Sequence, residues 1–312
     1  MEAQSRTNIK SVMRCTLGRM IDPRLDQRVV LVTGGNNPDG IGAGTAKAFA
    51  AQGARVFLHF FRAPAAAATE APESSTPGEA LYRRRQQQTA DDVVKAIRAH
   101  GGTIEAWEAD LSDPDAPRAL FEHAEHAFGA VDILVNNAAH AEHDTFVPPA
   151  GTPRNRRAEL ATGRRPAPLS AQTFDRHFSV NTRAVALLIA EFARRLVARG
   201  ASYGRVINVS TAGAYVFPSE VSYGASKLAL EAYTRSAAVE LGQFGITVNA
   251  VSLGPVQTGW ISPELETALL STIPLGRIGT PPEVADVIVF LASEQARWVT
   301  GQTLFVGGGH GM

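Results

Sequence analysis

Short apolar runs alternate with longer segments of helical periodicity along most of this chain. A short apolar run predicts a strand that is buried on both faces of a sheet. Such runs lie at Arg28–Thr33, Arg55–Phe60, Thr103–Ala109, Val131–Val135, Arg205–Val209, Ile246–Ser252 and Thr303–Val306. Helical patterns lie between them, at Ile41–Gln52, Asp91–His100, Pro114–Phe128, Ala171–Arg199, Ser222–Phe244 and Pro281–Ala292. Strands that alternate with helices predict the α/β class, with a doubly wound parallel sheet of about seven strands.

Two stretches interrupt this alternation. Residues Ala63–Thr89 are rich in Ala, Pro, Glu and Gln, and residues Asp144–Ser170 are rich in Pro and Arg. Long connections without a regular pattern are usually functional loops or disordered segments. Both fall inside the alternation, so we expect insertions near 63–89 and 144–170 within a single domain over residues 26–312. Residues 1–25 are polar, lack the apolar core of a signal sequence and are expected to form a flexible extension.

The composition excludes several classes of protein. The chain has 312 residues, of which 45% are hydrophobic and 19% are charged, as in globular proteins. Its 30 basic and 30 acidic residues balance, so nothing suggests a protein that binds nucleic acid or a membrane surface. Cys15 is the only cysteine, which excludes an internal disulfide framework and a metal site built from cysteines. No apolar run reaches the roughly 18 residues of a membrane span, and we expect a cytoplasmic protein.

The first predicted strand ends in a glycine-rich turn, Thr33–Gly42, that leads into a helix. A strand, such a turn and a helix N-terminus together form a cradle for a pyrophosphate. In this cradle Gly34 permits the tight turn, Gly40 permits close approach of the backbone to the phosphates, and Gly42 permits close packing of the helix on the strand. The turn therefore predicts that the chain binds a nucleotide.

Tyr223 and Lys227 are one helical turn apart, so both side chains point from the same helix face. A phenol is a poor base at neutral pH, because its ordinary pKa is about 10. A nearby ammonium favours the phenolate and lowers the pKa of a phenol toward the working range. The pair can therefore transfer protons to and from a substrate.

These motifs and several others occur in an order that resembles the classical short-chain dehydrogenase/reductases, from about Arg28 to the C-terminus. The landmarks are Thr33–Gly42, Asp110-Leu111, Asn136-Asn137-Ala138-Ala139, Asn181, Ser210 or Thr211, Tyr223 and Lys227, Gly254–Thr258, Trp298–Gln302 and Gly307–Gly309. The segment Gly276–Gly279 and the glycine-rich ending are similar to the branch of 3-oxoacyl-acyl-carrier-protein reductases. The resemblance implies a single-domain Rossmann-type fold. It also implies an NAD(P)-dependent oxidoreductase that interconverts a ketone, 3-oxoacyl-like or other, and a secondary alcohol.

The resemblance also implies roles for the catalytic residues. Tyr223 would be the general acid in reduction and the base in oxidation. Lys227 would lower the pKa of the tyrosine and hydrogen-bond the nicotinamide ribose. Asn181 would hold a water molecule in a proton relay.

A hydroxyl at the end of the strand Arg205–Val209 would orient and polarise the substrate carbonyl. Counting back from Tyr223 with the family's commonest spacing gives Ser210. Counting forward along the strand gives Thr211. We favour Ser210, because a primary hydroxyl is usual at this place, and keep Thr211 as the alternative.

The resemblance places further residues on the cofactor. Asp110 would contact the adenine, Asn136 would line the adenosine side, and Thr258 would contact the nicotinamide carboxamide. The second strand leads into Arg62 without the carboxylate that would bind a ribose 2′-hydroxyl, and the guanidinium suits a 2′-phosphate. NADP is therefore favoured over NAD. The expected cofactor-binding residues are Gly34, Asn37, Gly40, Ile41, Gly42, Arg62, Asp110, Leu111, Asn136, Ala138, Tyr223, Lys227, Pro255, Val256 and Thr258.

Two other functions stay open. Enoyl reductases are related, but they space their tyrosine and lysine more widely than Tyr223 and Lys227. A catalytically silent, nucleotide-sensing regulator would not need the intact Tyr223, Lys227 and Asn181. Family members usually assemble through the helices that bear Asn181 and Tyr223, so we expect a homotetramer or homodimer that acts on a small molecule.

Two pairs of histidines could in principle bind a metal ion. His140 and His143 follow the fourth strand, and His123 and His126 lie on a helix. Neither pair has a convincing third ligand, so no metal site is expected. By its position, His140 is a candidate for the wall of a substrate pocket.

The second insertion carries a basic segment. It could grip an anionic substrate, but a solvated insertion is favoured. Its arginines are Arg154, Arg156, Arg157, Arg164 and Arg165. Farther on, Trp260 could stack on a substrate or fix its own loop, and the sequence leaves both open.

Overall fold

Seven parallel strands form the central sheet of the computed structural model, which describes residues 22–63, 75–151 and 157–311. The strands are β1 (Val29–Thr33), β2 (Arg55–Phe60), β3 (Thr103–Glu108), β4 (Ile133–Asn136), β7 (Gly204–Thr211), β8 (Ile246–Leu253) and β9 (Thr303–Val306). Their order across the sheet is β3-β2-β1-β4-β7-β8-β9. Two short strands, β5 (Asp144–Thr145) and β6 (Ala167–Pro168), pair separately. The predicted α/β class and seven-stranded parallel sheet are confirmed.

Helices cover both faces of this sheet. They are α1 (Ile41–Ala51), α2 (Glu79–Gln86), α3 (Asp91–Ala99), α4 (Ala116–Phe128), α5 (Arg157–Thr162), α6 (Ala171–Phe178), α7 (Val185–Ala198), α8 (Val221–Leu241), α9 (Pro263–Leu270) and α10 (Pro281–Ala292). Short 3₁₀ turns lie at Ala212–Ala214, Gly242–Phe244 and Glu294–Ala296. In the described part of the chain, no helix is long and apolar enough to cross a membrane.

Alternate residues of the central strands supply two separate apolar cores. Val32 of β1 packs with Phe49 of α1 on one face of the sheet. Its neighbour Leu31 packs on the other face, with Phe192 of α7 and Leu230 of α8. Successive side chains of a strand point to opposite faces, so one apolar run serves both cores. This explains why the central strands are apolar throughout.

The long predicted helix Ala171–Arg199 is divided into three parts. Helix α6 begins with a capping box, in which the Ser170 hydroxyl accepts from the Thr173 amide. A π-helical turn, Ser179–Ala184, follows and leads directly into α7. Hydrophobic periodicity does not reveal such a turn, because it adds only a local change in winding. Asn181 lies inside this turn.

Both insertions contain regular structure in the parts that the structure describes, a point that the sequence left open. The first contains helix α2, and the second contains β5, α5 and β6. Two arginines of the basic segment in the second insertion, Arg154 and Arg156, lie outside the described residues. Residues 22–25, which we assigned to the flexible extension, pack on the domain: Leu25 is buried in the core on the α1 face.

Candidate active site

The strand order reverses between β1 and β4, and this creates a crevice at the carboxyl edge of the sheet. In open α/β sheets, ligands bind outside the carboxyl ends of the strands at such a switch point. Thr33 ends β1, Asn136 ends β4 and Thr211 ends β7. Because all strands are parallel, these ends meet at one edge, and the predicted site residues lie on them or on the segments that follow.

The glycine turn after β1 has the close packing that a pyrophosphate cradle needs. Gly34 has a φ of +78°, and a Cβ there would overlap the backbone of Ala138. A Cβ on Gly42 would overlap the carbonyl oxygen of Gly34, so helix α1 can start close to the strand only with glycine here. Ile41 is the first residue of α1. The turn and the helix N-terminus therefore have the shape and the free N–H groups that suit a pyrophosphate.

Two neighbouring side chains hold this turn in place. The Asn137 amide donates to the carbonyl oxygens of Thr33 and Gly34 at 2.9 and 2.8 Å. Nδ1 of His59 lies 3.3 Å from the Gly34 amide, and Nε2 lies 2.9 Å from the Ala109 carbonyl oxygen. This pattern assigns the proton of His59 to Nε2. Burial lowers the pKa of His59 to about 4, so the ring is neutral at pH 7 and accepts from the turn.

Asn37 connects the turn to the segment after β8. Its side-chain amide donates to the Thr258 carbonyl oxygen at 2.9 Å, and its Oδ1 accepts from the Asp39 amide at 3.1 Å. The same segment is fixed to Gly279 through reciprocal backbone hydrogen bonds with Pro255 and Gln257. Two predicted cofactor-binding segments therefore meet across the crevice.

Tyr223 and Lys227 lie on the first turns of α8, as the spacing predicts. The Lys227 side chain is buried, and its Nζ donates to the Val209 carbonyl oxygen at 2.8 Å. Nζ is 5.9 Å from the centroid of the Tyr223 ring. Burial lowers the pKa of Lys227 to about 8, because desolvation penalises the ammonium. The ring of Tyr223 is partly exposed and makes an edge contact with Phe217 at 5.9 Å.

Asn181 is fully buried and joins the π-helical turn to α8. Its Oδ1 accepts from the His140 amide at 2.8 Å. Its Nδ2 donates to the His140 carbonyl oxygen and to the Ser226 hydroxyl, both at 2.9 Å. Ser226 precedes Lys227 in α8, so Asn181 fixes the helix that carries the Tyr–Lys pair.

The two candidate hydroxyls at the end of β7 face different surroundings. Ser210 is buried, and its hydroxyl donates to Oε1 of the buried Glu231 at 2.6 Å. Thr211 is partly exposed at the last position of β7, and its Oγ1 accepts from the Gly213 amide at 3.2 Å. Neighbouring strand residues point to opposite faces, so only one of the two can face the crevice. This geometry favours Thr211 over our first choice, Ser210.

Two residues beside Tyr223 were not singled out from the sequence. Asp144 of β5 is fully buried, and its Oδ1 accepts from the Ser222 amide at 3.0 Å, which caps the first turn of α8. His177 of α6 is also fully buried, and its ring makes an edge contact with the Tyr223 ring at 6.4 Å. Burial lowers the pKa of His177. Asp144 is 78 residues from Ser222 in the chain, and a histidine on a polar helix is common, so neither contact could be recognised in advance.

The residues that we expect on the adenosine side follow β3 or end β4. Asp110 is exposed just beyond β3, and its Oδ1 accepts from the Ser112 amide. Leu111 is buried in the core behind it. We expected the Asn136 side chain along the adenosine. It is instead buried and donates to Oδ1 of Asn208 on the neighbouring strand β7 at 2.8 Å. A side chain in this position braces β4 against β7.

Arg62 lies just past the end of β2 and pairs with Glu108 at the end of β3. Its Nε is 2.9 and 3.0 Å from the two carboxylate oxygens, and its Nη2 is 2.8 Å from Oε2. The hydrogen bond from Arg62 lowers the pKa of Glu108. The sequence did not reveal this carboxylate beside Arg62, because β2 and β3 are separated by the first insertion and α3.

The described residues contain no group of three His, Cys, Asp or Glu side chains that could hold a metal ion. His123 instead stacks on Trp107, with ring centroids 4.2 Å apart. His143 faces Trp260 at 6.3 Å. Trp260 also packs against the small apolar cluster formed by Ile261 and α9. It therefore fixes its own loop and also lies beside the segment that follows β4.

Comparisons with known proteins agree with this geometry. A family model described as Enoyl-(Acyl carrier protein) reductase matches residues 77–310. NADPH-dependent aldehyde reductase 2 of Arabidopsis thaliana is 34% identical over 290 residues, which cover 90% of this chain and 93% of that protein. The 3-oxoacyl-acyl-carrier-protein reductase FabG of Staphylococcus aureus is 31% identical over 227 residues, which cover 72% of this chain and 83% of FabG.

A solved structure, a short-chain dehydrogenase/reductase from Serratia marcescens, matches with a TM-score of 0.70 and 29% identity. The match covers 92% of this chain and 99% of that one. The family model, the relatives and the Tyr–Lys pair beside a glycine cradle all lead to the same assignment. The chain belongs to the short-chain dehydrogenase/reductase family and is an oxidoreductase of that family.

Proposed function

We propose that this chain interconverts a ketone, 3-oxoacyl-like or other, and a secondary alcohol, with Tyr223 as the acid and base. The observation that carries this proposal is the Tyr223–Lys227 pair, which lies at the carboxyl edge of the sheet beside a cradle suited to a pyrophosphate. The family uses NAD(P). When bound, the nicotinamide supplies or accepts a hydride at the carbonyl carbon, and the protein supplies binding, orientation and protons.

Three regions of the chain would each hold one part of the cofactor. The glycine turn would hold the pyrophosphate, the segments after β3 and β4 would hold the adenosine, and the segment after β8 would hold the nicotinamide. The pyrophosphate residues are Gly34, Asn37, Gly40, Ile41 and Gly42. The adenosine residues are Asp110, Leu111, Asn136 and Ala138, with Asn136 acting as a brace. The nicotinamide residues are Pro255, Val256 and Thr258.

Tyr223 gives its phenolic proton to the carbonyl oxygen in reduction and takes a proton from the alcohol in oxidation. Lys227 uses one N–H on the Val209 carbonyl oxygen. An ammonium has three donors, so the others can serve the nicotinamide ribose and favour the phenolate. Thr211, rather than Ser210, orients the substrate carbonyl, because the Ser210 hydroxyl is directed to Glu231.

Asn181 serves the proton relay through its position in the π-helical turn. Both hydrogens of its side-chain amide are used, on His140 and Ser226. A water molecule of the relay would therefore bind the Asn181 backbone carbonyl. Single π-helical turns are frequent at functional sites, because they take backbone groups out of the regular helical pattern.

NADP is favoured as the cofactor because of Arg62. Its guanidinium has the planar geometry that binds phosphate, and the end of β2 has no carboxylate of its own. Glu108 holds the guanidinium near the place where the adenosine ribose would lie and would compete with a 2′-phosphate. The name of the 34% identical plant relative, an NADPH-dependent aldehyde reductase, supports the same choice.

Enoyl reduction is the second candidate function. The matching family model is described as an enoyl-acyl-carrier-protein reductase, which favours it. The three residues between Tyr223 and Lys227 argue for the carbonyl reaction instead, because enoyl reductases space this pair more widely. A substrate panel that contains both an acetoacetyl and a crotonyl thioester separates the two.

A homotetramer or homodimer is the proposed assembly. Large apolar side chains are exposed on the helices that bear the active site: Leu187 and Val197 on α7, and Tyr233 and Val239 on α8. Large apolar side chains that are exposed on a monomer can be buried between subunits. Light scattering should give two or four times the monomer mass, and a monomer at micromolar concentration would contradict this.

The first experiment is a titration of the purified chain with NADPH and NADH, followed by cofactor oxidation with a ketone panel. Tyr223→Phe should bind the cofactor like the wild type and lose turnover, because the proton donor is removed. Tyr233→Phe, an exposed tyrosine on the same helix, is the matched control and should stay active. Full activity of Tyr223→Phe would refute the proposed chemistry, and cofactor binding without turnover on any substrate would favour a nucleotide sensor.

A further inference from the structure

Helix α2, in the first insertion, docks across the outer side of the crevice. At its C-terminal end, the Asn36 side-chain amide lies 2.9 and 3.0 Å from the carbonyl oxygens of Gln86 and Gln88. At its N-terminal end, the Gly78 amide donates to the Gly259 carbonyl oxygen at 2.9 Å. Asn36 belongs to the glycine turn, and Gly259 follows Thr258. The helix therefore joins the two segments that would hold the pyrophosphate and the nicotinamide.

Arg85 of α2 contacts both segments that border this gap. Its Nη1 pairs with the Asp39 carboxylate in the glycine turn. A Cβ on Gly259 would lie 2.8 Å from the same nitrogen, so the guanidinium also touches the opposite segment. The Arg85 side chain is 22% exposed, whereas that of Arg83, two residues earlier, is 52% exposed and pairs with Glu79 of its own helix.

The charges explain why an arginine is needed at this place. Asp39 lies two residues before Ile41, the first residue of α1, where a pyrophosphate would bind. A carboxylate so close to two phosphates would repel them. The Arg85 guanidinium cancels this charge, and its five N–H donors exceed what one carboxylate can use. Donors remain that can face a phosphate.

We propose that Arg85 is a ligand of the cofactor pyrophosphate and that helix α2 forms the outer wall of the cofactor site. The inference rests on the proposed function, since it requires that the crevice bind a nicotinamide dinucleotide. Arg85 contacts the phosphates at the outer edge of the glycine turn, while it stays paired with Asp39. The insertion is thereby a working part of the binding site.

The test measures the Kd of NADPH and of NADH for the full chain by fluorescence. Arg85→Ala should raise both Kd values by about tenfold or more, because a charge-assisted hydrogen bond to a phosphate is lost. Arg83→Ala is the matched control, with the same charge removed from the same helix, and should leave both values unchanged. Arg85→Lys keeps the charge without the planar fork and should lie between the wild type and Arg85→Ala.

A double-variant comparison separates direct contact from simple neutralisation of Asp39. In the Asp39→Asn background, Arg85→Ala should still raise the Kd of NADH by a similar factor. If the effect disappears in this background, Arg85 acts only through Asp39 and the proposed contact is wrong. An effect on NADPH alone would assign Arg85 to the 2′-phosphate and overturn the pyrophosphate assignment.

Two further outcomes distinguish the failure of this inference from that of the proposed function. If the wild type binds the cofactors and Arg85→Ala behaves like Arg83→Ala, the Arg85 contact alone is refuted. If the wild type binds neither NADPH nor NADH, the proposed function is refuted as well. Circular dichroism of each variant shows that a change in Kd does not come from loss of the fold.

Discussion

Replacement of Lys227 by methionine should abolish the activity and remove a pH-dependent penalty on the free energy of unfolding. The Lys227 side chain is 1% exposed, and among the ion pairs of the described residues none includes its ammonium. Burial lowers its pKa from 10.5 to about 8. The folded protein therefore holds an ammonium at pH 7 against a desolvation penalty that the unfolded chain does not have.

The size and sign of this penalty follow from the two pKa values. Between pH 8 and 10.5 the unfolded chain still binds the proton and the folded protein does not, so the free energy of unfolding rises with pH. One pKa unit corresponds to about 1.4 kcal/mol, so the whole penalty is about 3 kcal/mol at pH 7. Between pH 7 and 9.5 about 2 kcal/mol of it should be recovered. Lys227→Met also loses the hydrogen bond to the Val209 carbonyl oxygen, which lowers the free energy of unfolding by an amount that does not depend on pH.

Urea unfolding of the cofactor-free protein at a fixed protein concentration measures this effect. The free energies of unfolding of the wild type and Lys227→Met should converge by about 2 kcal/mol between pH 7 and 9.5. Lys95→Met, at an exposed position of α3, is the control and should run parallel to the wild type. Parallel curves for Lys227→Met and the wild type would refute the buried, destabilising ammonium. The change with pH in the difference between the two free energies of unfolding is the informative quantity, because methionine also changes the packing by an amount that does not depend on pH.

Three other substitutions test the rest of the site. Thr211→Ala should lower kcat by about a hundredfold, because the group that polarises the carbonyl is lost. Ser210→Ala should keep kcat and lower the free energy of unfolding by about 1–3 kcal/mol. The reverse result in kinetics and urea unfolding would assign the carbonyl-orienting role to Ser210. Arg62→Ala should weaken the binding of NADPH much more than that of NADH. Glu108→Gln should strengthen the binding of NADPH, because it releases the guanidinium. If both variants keep the wild-type Kd values, Arg62 is excluded as the phosphate partner. Gly42→Ala should abolish binding of both cofactors in the same titration, because its methyl group would displace the turn, and normal binding would contradict the cradle.

The sheet and the placement of the Tyr–Lys pair were predictable because they depend on local patterns. Buried parallel strands are continuous apolar runs, and the observed bounds of β2 and β9 equal the predicted ones. Tyr223 and Lys227 share a helix face through their spacing alone. The glycine turn was recognisable because its position between a strand and a helix is a property of the sequence.

Other parts of the site depend on contacts between distant segments. Ser210 and Thr211 are adjacent in β7, and only the packing of Glu231 from α8 decides which hydroxyl points inward. The Asn136 side chain points to Asn208 of β7 because Asn208 accepts its hydrogen bond. No single-segment pattern contains this information, since each partner is many residues away.

The sequence by itself determined the seven strands, the cradle and the Tyr–Lys pair, because each follows from periodicity or spacing within one segment. Only the tertiary structure decided that the first insertion contributes a wall to the crevice. Helix α2 has eight residues and few apolar ones, and a helix this short is marginal in isolation. It depends on contacts with Asn36, Asp39 and Gly259, which adjoin it only after the parallel strands have aligned their carboxyl ends.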